Sequence, residues 1–149
     1  MLYSDELLHE ISLRPQVVVV TGGRDYHPPV EMLLEVFRPW QVPSQYRAER
    51  YLPELVVLNG LARGVDSAVD VFCDVREISK QTFPAKWETV DEKTGSVTKH
   101  PRAGFDRNQV MVDLASICLA FPGGGGTADC RERALLRGLL VIDVGESDD

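Results

Sequence analysis

The sequence predicts an α/β protein: a Rossmann-like three-layer sandwich with a mostly parallel sheet and helices on both faces. Three observations lead to this prediction. Short apolar runs without polar alternation indicate buried strands, helical patterns separate these runs, and glycine-rich turns follow several of them. The chain has 149 residues, which is long enough for a proper core, and we expect residues 1–149 to form one domain.

The first elements follow an N-terminal extension, residues 1–14. A continuous run of valines predicts a buried strand over residues 16–21. A pair of prolines then opens a helix over residues 28–37, in which apolar residues recur at helical spacing. Further prolines interrupt this helix, and we expect a short second helix over residues 45–51.

The middle of the chain repeats this strand–turn–helix order. The run ELVVLN predicts a second buried strand over residues 54–59, and a glycine turn follows it at residues 60–64. Inward-facing apolar residues at helical spacing predict a helix over residues 65–78. A short third strand is expected over residues 80–84.

The last part of the chain contains a polar segment and two further strands. Residues 87–101 are polar, and we expect a loop there. A helix is predicted over residues 103–114, and the apolar run that follows it predicts a buried strand over residues 115–121. A helix over residues 131–137 and a strand over residues 139–144 complete the alternation.

Glycine-rich turns follow three of the predicted strands, at residues 22–23, 60–64 and 123–126. In a parallel sheet these turns meet at one edge, where ligands bind. The four consecutive glycines and Thr127 exceed what a tight turn with positive φ needs. Their backbone N–H groups are free at the positive end of a helix dipole, so we predict that this turn binds a phosphate or another anion.

The candidate ligand-binding residues lie in and beside these turns. They are Thr21, Gly22, Gly23, Arg24, Gly60, Arg63, Asp66, Arg107, Asn108, Pro122, Gly123, Gly124, Gly125, Gly126 and Thr127. Arg24 and Arg63 offer charge-assisted hydrogen bonds to phosphate. Helix capping is the alternative role of Asp66, and a solvated helix face is the alternative for Arg107 and Asn108.

Charge and motif content exclude several classes of protein. The net charge of −7 disfavours nonspecific binding to nucleic acid, and the acidic residues 145–149 are expected to form a solvated tail. No Gly-Lys-Ser/Thr follows the glycines, and no GxGxxG follows the first strand. The chain therefore has neither a P-loop nor the standard dinucleotide fingerprint.

Compartment and cofactor predictions follow from the same composition. No apolar stretch reaches membrane-spanning length, and the first 15 residues contain acids and no signal-peptide core. Three cysteines without metal-ligand spacing fit a reducing cytosol, and the three histidines are scattered. We expect a cytoplasmic protein with no membrane partner, no metal and no cofactor.

Five blocks of sequence occur in an order that a known family shares. They are VVVVTGGRDY (17–26), LNGLARGVDSAV (58–69), FPAKW (83–87), AGFDRNQVM (103–111) and FPGGGGTADC (121–130). This set resembles the YspA-like branch of the SLOG superfamily, which joins the Smf/DprA proteins and the LOG phosphoribohydrolases. The resemblance extends over nearly the whole chain and implies a Rossmann-like domain that binds or senses a nucleotide or a nucleotide-derived ligand, such as one related to ADP-ribose.

The resemblance also implies two alternative functions. The LOG enzymes cleave the N-glycosidic bond of nucleoside monophosphates, and the motif PGGxGTxxE ends in their catalytic Glu. Cys130 occupies that position here, Asp129 precedes it, and Arg107 matches the family's arginine before the central helix. A thiol cannot replace a carboxylate beside an oxocarbenium-like centre, so Asp129 is a candidate catalytic residue. Arg107 is the second candidate, because it matches the family's arginine. The second alternative is single-stranded DNA binding of the DNA-processing type, against which the acidic balance counts.

Two further expectations come from comparison with the family. The segment 88–100 is longer than is usual in the YspA-like branch, which makes it either a lid or specificity loop or a tolerated surface insertion. Small members of the superfamily commonly pair through a helical face, so the resemblance also implies a homo-oligomer.

Overall fold

The computed structural model describes residues 2–41 and 55–145. In chain order, the elements are α1 (Asp5–Ser12), β1 (Val17–Thr21), α2 (Val30–Val36), α3 (Arg38–Gln41), β2 (Val56–Asn59), α4 (Val65–Val75), β3 (Ser79–Thr82), β4 (Glu88–Val90), β5 (Val97–Lys99), α5 (Ala103–Leu114), β6 (Ile117–Ala120), α6 (Gly125–Arg137) and β7 (Leu140–Asp143). None of the helices in the described ranges combines the length and the apolar character needed to cross a membrane.

Five strands form one parallel sheet in the order β3-β2-β1-β6-β7. The strand β1 lies at its centre, where Val19 pairs with Leu58 of β2 on one side and with Cys118 of β6 on the other. The strand order reverses at β1, because the chain first adds strands on the β2 side and later adds β6 and β7 on the other side. This reversal opens a crevice at the carboxyl ends of β1 and β6.

Helices cover both faces of the sheet, which explains the continuous valine run. Val18 and Val20 pack in a cluster with residues from the helices α1 to α4. Val19 packs in a second cluster with residues of α5 and α6. Successive strand residues point to opposite faces, so a strand covered on both faces is apolar at every position. The predicted three-layer α/β fold is confirmed.

The last helix begins earlier than the sequence led us to expect. We predicted a helix over residues 131–137, but α6 begins at Gly125, so two of the four glycines belong to its first turn. Glycine disfavours helix interiors, and for that reason the pattern placed the whole run in a turn. The first turn tolerates these glycines because the hydrogen bonds of the residues that follow hold it in place: Ala128 N–H donates to Gly124 O at 3.0 Å.

The prediction of a loop over residues 87–101 was wrong, because this segment contains the antiparallel hairpin β4–β5. Val90 pairs with Val97 and Thr89 pairs with Thr98. The turn is closed by Asp91, whose carboxylate accepts the N–H of Lys93 at 2.8 Å. Both faces of the hairpin are exposed, so its polar composition concealed the β-branched residues that favour a strand.

The N-terminal extension, residues 1–14, contains the helix α1, which the sequence analysis did not predict. Ser4 caps this helix by accepting the N–H of Leu7 at 3.1 Å. Ile11 is only 1% exposed, and the hydroxyl of Tyr3 donates to the carbonyl of Val36. The extension is thus part of the core on one face of the sheet. The helix predicted over residues 45–51 and nearly all of the tail 145–149 lie outside the described residues.

Replacing Ile11 by Ala should lower the free energy of unfolding by about 2–4 kcal/mol, because the change leaves a cavity in a closely packed core. Urea denaturation followed by circular dichroism measures this loss. Leu13→Ala is the matched control, since Leu13 follows the same helix and is 62% exposed. Equal, small losses for the two variants would show that α1 does not belong to the cooperative core.

Candidate functional site

A cavity of about 410 Å³ opens at the carboxyl ends of β1 and β6, where the strand order reverses. It unites residues from four parts of the chain that are far apart in sequence. Of the predicted ligand-binding residues, those that line it are Thr21, Gly22, Gly23, Arg24, Asp66, Arg107, Asn108, Gly124, Gly125, Gly126 and Thr127. Four predicted residues lie elsewhere: Gly60 and Arg63 line an adjoining cavity, and Pro122 and Gly123 belong to the turn beneath the site.

The N-terminus of α6 forms one wall of this cavity. Gly124 is the N-cap residue, and Gly125, Gly126 and Thr127 form the first turn. A Cβ atom added to any of these three glycines would meet no heavy atom within 4 Å. Packing within the described structure therefore does not require glycine there. Because these glycines have no side chains, there is room beside the N–H groups of the helix terminus, and this is the arrangement of an anion site.

Gly123 has a different role from the three glycines that follow it. A Cβ on Gly123 would overlap the Thr127 hydroxyl, and it would lie 2.6 Å from the nitrogen of Gly23. Gly23 N–H donates to the carbonyl of Pro122 at 2.8 Å. Pro122 and Gly123 thus hold the turn after β6 against the turn after β1, and they shape the site from below.

The turn after β2 holds the backbone N–H groups of residues 60–62 in internal hydrogen bonds. Asp66 Oδ2 accepts the N–H groups of Gly60 and Ala62 at 3.2 and 3.3 Å, and Asn59 Oδ1 accepts that of Leu61 at 2.7 Å. These donors are occupied within the protein. Gly64 is needed for packing, because it has a φ of +83° and a Cβ there would collide with the backbone of the turn after β1.

Asp66 does not cap the helix α4, whose N-cap residue is Gly64 without a side-chain cap bond, but it fixes the turn before that helix. Its Oδ2 caps the turn, its side chain lines the cavity, and the residue is 7% exposed. Its Oδ1 is buried and has no hydrogen-bond partner among the described residues. Burial raises the pKa of Asp66 to about 6, against the opposing effects of the N–H donors and of the positive charges on Arg107 and Arg24.

Arg107 is held rigidly at the side of the cavity by three hydrogen bonds. Its Nη1 donates to the carbonyls of Gly60 at 2.9 Å and Phe83 at 3.1 Å, and its Nε donates to Asn108 Oδ1 at 3.1 Å. Within the described ranges, its Nη2 has no partner. Burial lowers the pKa of Arg107, the nearby charge of Asp66 partly opposes this, and the charge of Arg24 makes a smaller contribution that lowers it. Two arginines that repel each other beside one cavity favour an anion between them.

The two residues at the family's catalytic position do not line this cavity. Asp129 Oδ2 accepts from Arg133 Nε at 2.8 Å and from Asn108 Nδ2 at 3.1 Å, so it lies between α5 and α6 next to a residue that lines the cavity. Cys130 is fully buried in the core between the sheet and the helices α5 and α6. The carboxylates that do line the cavity are those of Asp25 and Asp66.

Sequence reasoning missed the aromatic side of the site. Trp87, Phe105 and Met111 line the cavity, and Trp87 lies directly before the hairpin β4–β5. The hairpin positions it: His100 N–H donates to Trp87 O at 2.8 Å, and a Cβ on Gly104 would lie 3.0 Å from Trp87 Cη2. The Arg24 guanidinium lies 5.8 Å from the centre of the Trp87 ring. The hairpin thus brings an aromatic surface to the cavity.

The sequence signal for this aromatic surface was a tryptophan beside a polar insertion, but the strand pairing of the hairpin was needed to place Trp87.

Within residues 2–41 and 55–145, no group of three or more His, Cys, Asp or Glu side chains could hold a metal ion.

The chain matches no protein-family model, and no curated protein matches it either. The resemblance to the YspA-like branch therefore stays a prediction, and the site is interpreted from its own geometry.

Asp66 should make the free energy of unfolding depend on pH. Its folded-state pKa of about 6 lies above the ordinary value of 3.8, so the native state binds more protons between these two values. Stability from this group is fully present below pH 4 and is lost as the pH rises to 6. Relative to Asp66→Asn, the wild type should therefore lose about 2–3 kcal/mol between pH 4 and pH 7.

Urea titrations at a series of pH values test this, with Asp25→Asn as the control because the Asp25 side chain is 91% exposed. Parallel pH profiles for the wild type and Asp66→Asn would contradict the expected titration.

Proposed function

We propose that this protein binds a nucleotide or a nucleotide-derived molecule at the carboxyl edge of the sheet. The observation that carries the proposal is the N-terminus of α6, where three glycines that packing does not require leave room for an anion beside the helix N–H groups. A phosphate group fits there, between this helix terminus and the guanidinium groups of Arg24 and Arg107.

The aromatic wall supports a nucleotide over a simple anion. Trp87 and Phe105 provide surfaces for a planar base, and Asp66 supplies a carboxylate for donors on the sugar or base. A volume of about 410 Å³ lies in the range of small-molecule sites. Arg24 and Arg107 supply positive charge at this cavity, whereas the whole chain carries −7, so a small anionic ligand fits better than a nucleic-acid strand.

We infer binding or sensing, with a ligand of the ADP-ribose class as the finer expectation from the family resemblance. The alternative, hydrolysis of nucleoside monophosphates, needs a carboxylate at the ribose. Asp129 is bound to Arg133 and Asn108, and Cys130 is buried, so neither lines the cavity. This arrangement favours binding over hydrolysis, and a homo-oligomer and a cytoplasmic location remain expectations.

Gly125→Asp should raise the dissociation constant for AMP or ADP-ribose at least about tenfold, because it places a negative charge where the phosphate binds. The same change should leave stability unchanged or slightly higher, since a carboxylate favours a helix N-terminus. Calorimetry and thermal unfolding measure the two effects separately.

Gly125→Asn is the matched control, because it adds nearly the same volume without the charge. If Gly125→Asp binds both ligands as tightly as the wild type does, the phosphate does not lie at α6.

Incubation with nucleoside monophosphates should release no free base above background, and Asp129→Asn should change nothing. Chromatography of the products detects the base. Cys130→Glu should destabilise the fold without creating activity, because it buries a carboxylate in an apolar core. Vigorous base release by the wild type, lost in Asp129→Asn, would establish the hydrolase in place of the binding protein.

A further inference from the structure

A second cavity of about 370 Å³ adjoins the first one. The two cavities share Arg24, Ala62, Trp87 and Arg107. Arg24 and Trp87, which form a cation–π pair, therefore stand where the two cavities meet. The second cavity lies on the side of the turn after β2, and the remaining residues that line it are Gly60, Leu61, Arg63, Pro84 and Ala85.

Arginines dominate the polar lining of this second cavity. Arg24, Arg63 and Arg107 all line it, and no carboxylate of the described residues does. Arg63 pairs with Asp25 at 3.2 Å, but both side chains are largely exposed, so the pair is weak. Among the described residues, Arg24 has no carboxylate partner. The Arg107 guanidinium lies near the charge of Asp66, which belongs to the first cavity. The positive charge of Arg24 and Arg63 is therefore the part that an anion in the second cavity would neutralise.

The floor of the second cavity is rigid before any ligand binds. The N–H groups of residues 60–62 are held by Asn59 and Asp66, and the carbonyl of Gly60 accepts from Arg107. Leu61 adopts a φ of 55°, a left-handed conformation that leucine rarely adopts, and the same bonds hold it there. Such fixed geometry lowers the entropic cost of binding.

We propose that the second cavity binds a second phosphate of the same ligand, separated from the first phosphate by the sugar. This inference rests on the proposed nucleotide site, because the first phosphate lies at the N-terminus of α6. The class of ligand is a nucleotide with two separated phosphate groups, which differs from ADP-ribose, whose two phosphates are adjacent. The aromatic surfaces of Trp87 and Phe105 lie in the first cavity, so the base belongs there, and the arginine-lined cavity takes the anion.

Calorimetric titration with AMP, ADP and adenosine 3′,5′-bisphosphate, and with the three guanosine counterparts, tests the proposal. The bisphosphate should bind about tenfold more tightly than the monophosphate, as expected for an added charge-assisted interaction. Arg63→Gln should remove most of this advantage and leave the affinity for the monophosphate within about twofold, because Arg63 does not line the first cavity. ADP controls for total charge, since its second phosphate is adjacent to the first.

Arg137→Gln is the matched variant, since Arg137 is also an exposed arginine paired with an aspartate, Asp113, at the opposite end of α6. It should leave all affinities unchanged. Equal affinity for monophosphate and bisphosphate would overturn the second site and leave the nucleotide site standing. An Arg63→Gln loss as large for the monophosphate or ADP as for the bisphosphate would also overturn it. If none of the probes binds the wild type, both proposals fail together.

Discussion

The close approach of three backbone turns is the constraint on which the site depends. The turn after β1 packs directly against the turn after β6, where a Cβ on Gly23 would lie 3.0 Å from Gly123 Cα. The turn after β2 packs on it from the other side, where Val65 N–H donates to Gly23 O at 3.2 Å. No side chain separates these backbones, so the edge of the sheet becomes a narrow platform. The glycines, Arg24 and Asp66 of the cavity lie in or next to these turns.

Glycines therefore serve two separate purposes in this site. Gly22, Gly23, Gly64 and Gly123 are required by packing, because a Cβ at each would meet a neighbour at 3.0 Å or less. Gly124, Gly125 and Gly126 have open space around them and are dispensable for packing in the described structure. The sequence shows only a surplus of glycine, and the two groups become distinct once their neighbours are known. The second group carries the case for an anionic ligand.

The sequence predicted the fold class and the convergence of the turns because both depend on local patterns. Apolar runs such as that in β1 are long enough to show burial on both faces, and a parallel sheet brings the turns to one edge. The sequence did not predict the helix α1, the residue at which α6 begins, or the hairpin β4–β5. The hairpin depends on pairing between exposed strands, and the placement of α1 depends on contacts such as the one between Tyr3 and Val36. Tertiary contacts of this kind leave little trace in local periodicity.

The sequence predicted which turns form the candidate site. Which side chains line the cavity became clear only from contacts in the structure. Arg107 and Asn108 lie beside the cavity because their helix packs next to α6, whereas Asp129 is bound to Asn108 between the two helices and does not line the cavity. One step along a helix rotates a side chain by about 100°, which is enough to move a carboxylate out of a site. In this protein, Asp66 is the buried carboxylate of the cavity, and two backbone N–H groups hold its Oδ2. A carboxyl group fixed in this way keeps its Oδ1, which has no partner among the described residues, at a defined position beside the cavity. Local sequence could not place it there, because its position depends on the folding of the turn after β2 around Oδ2.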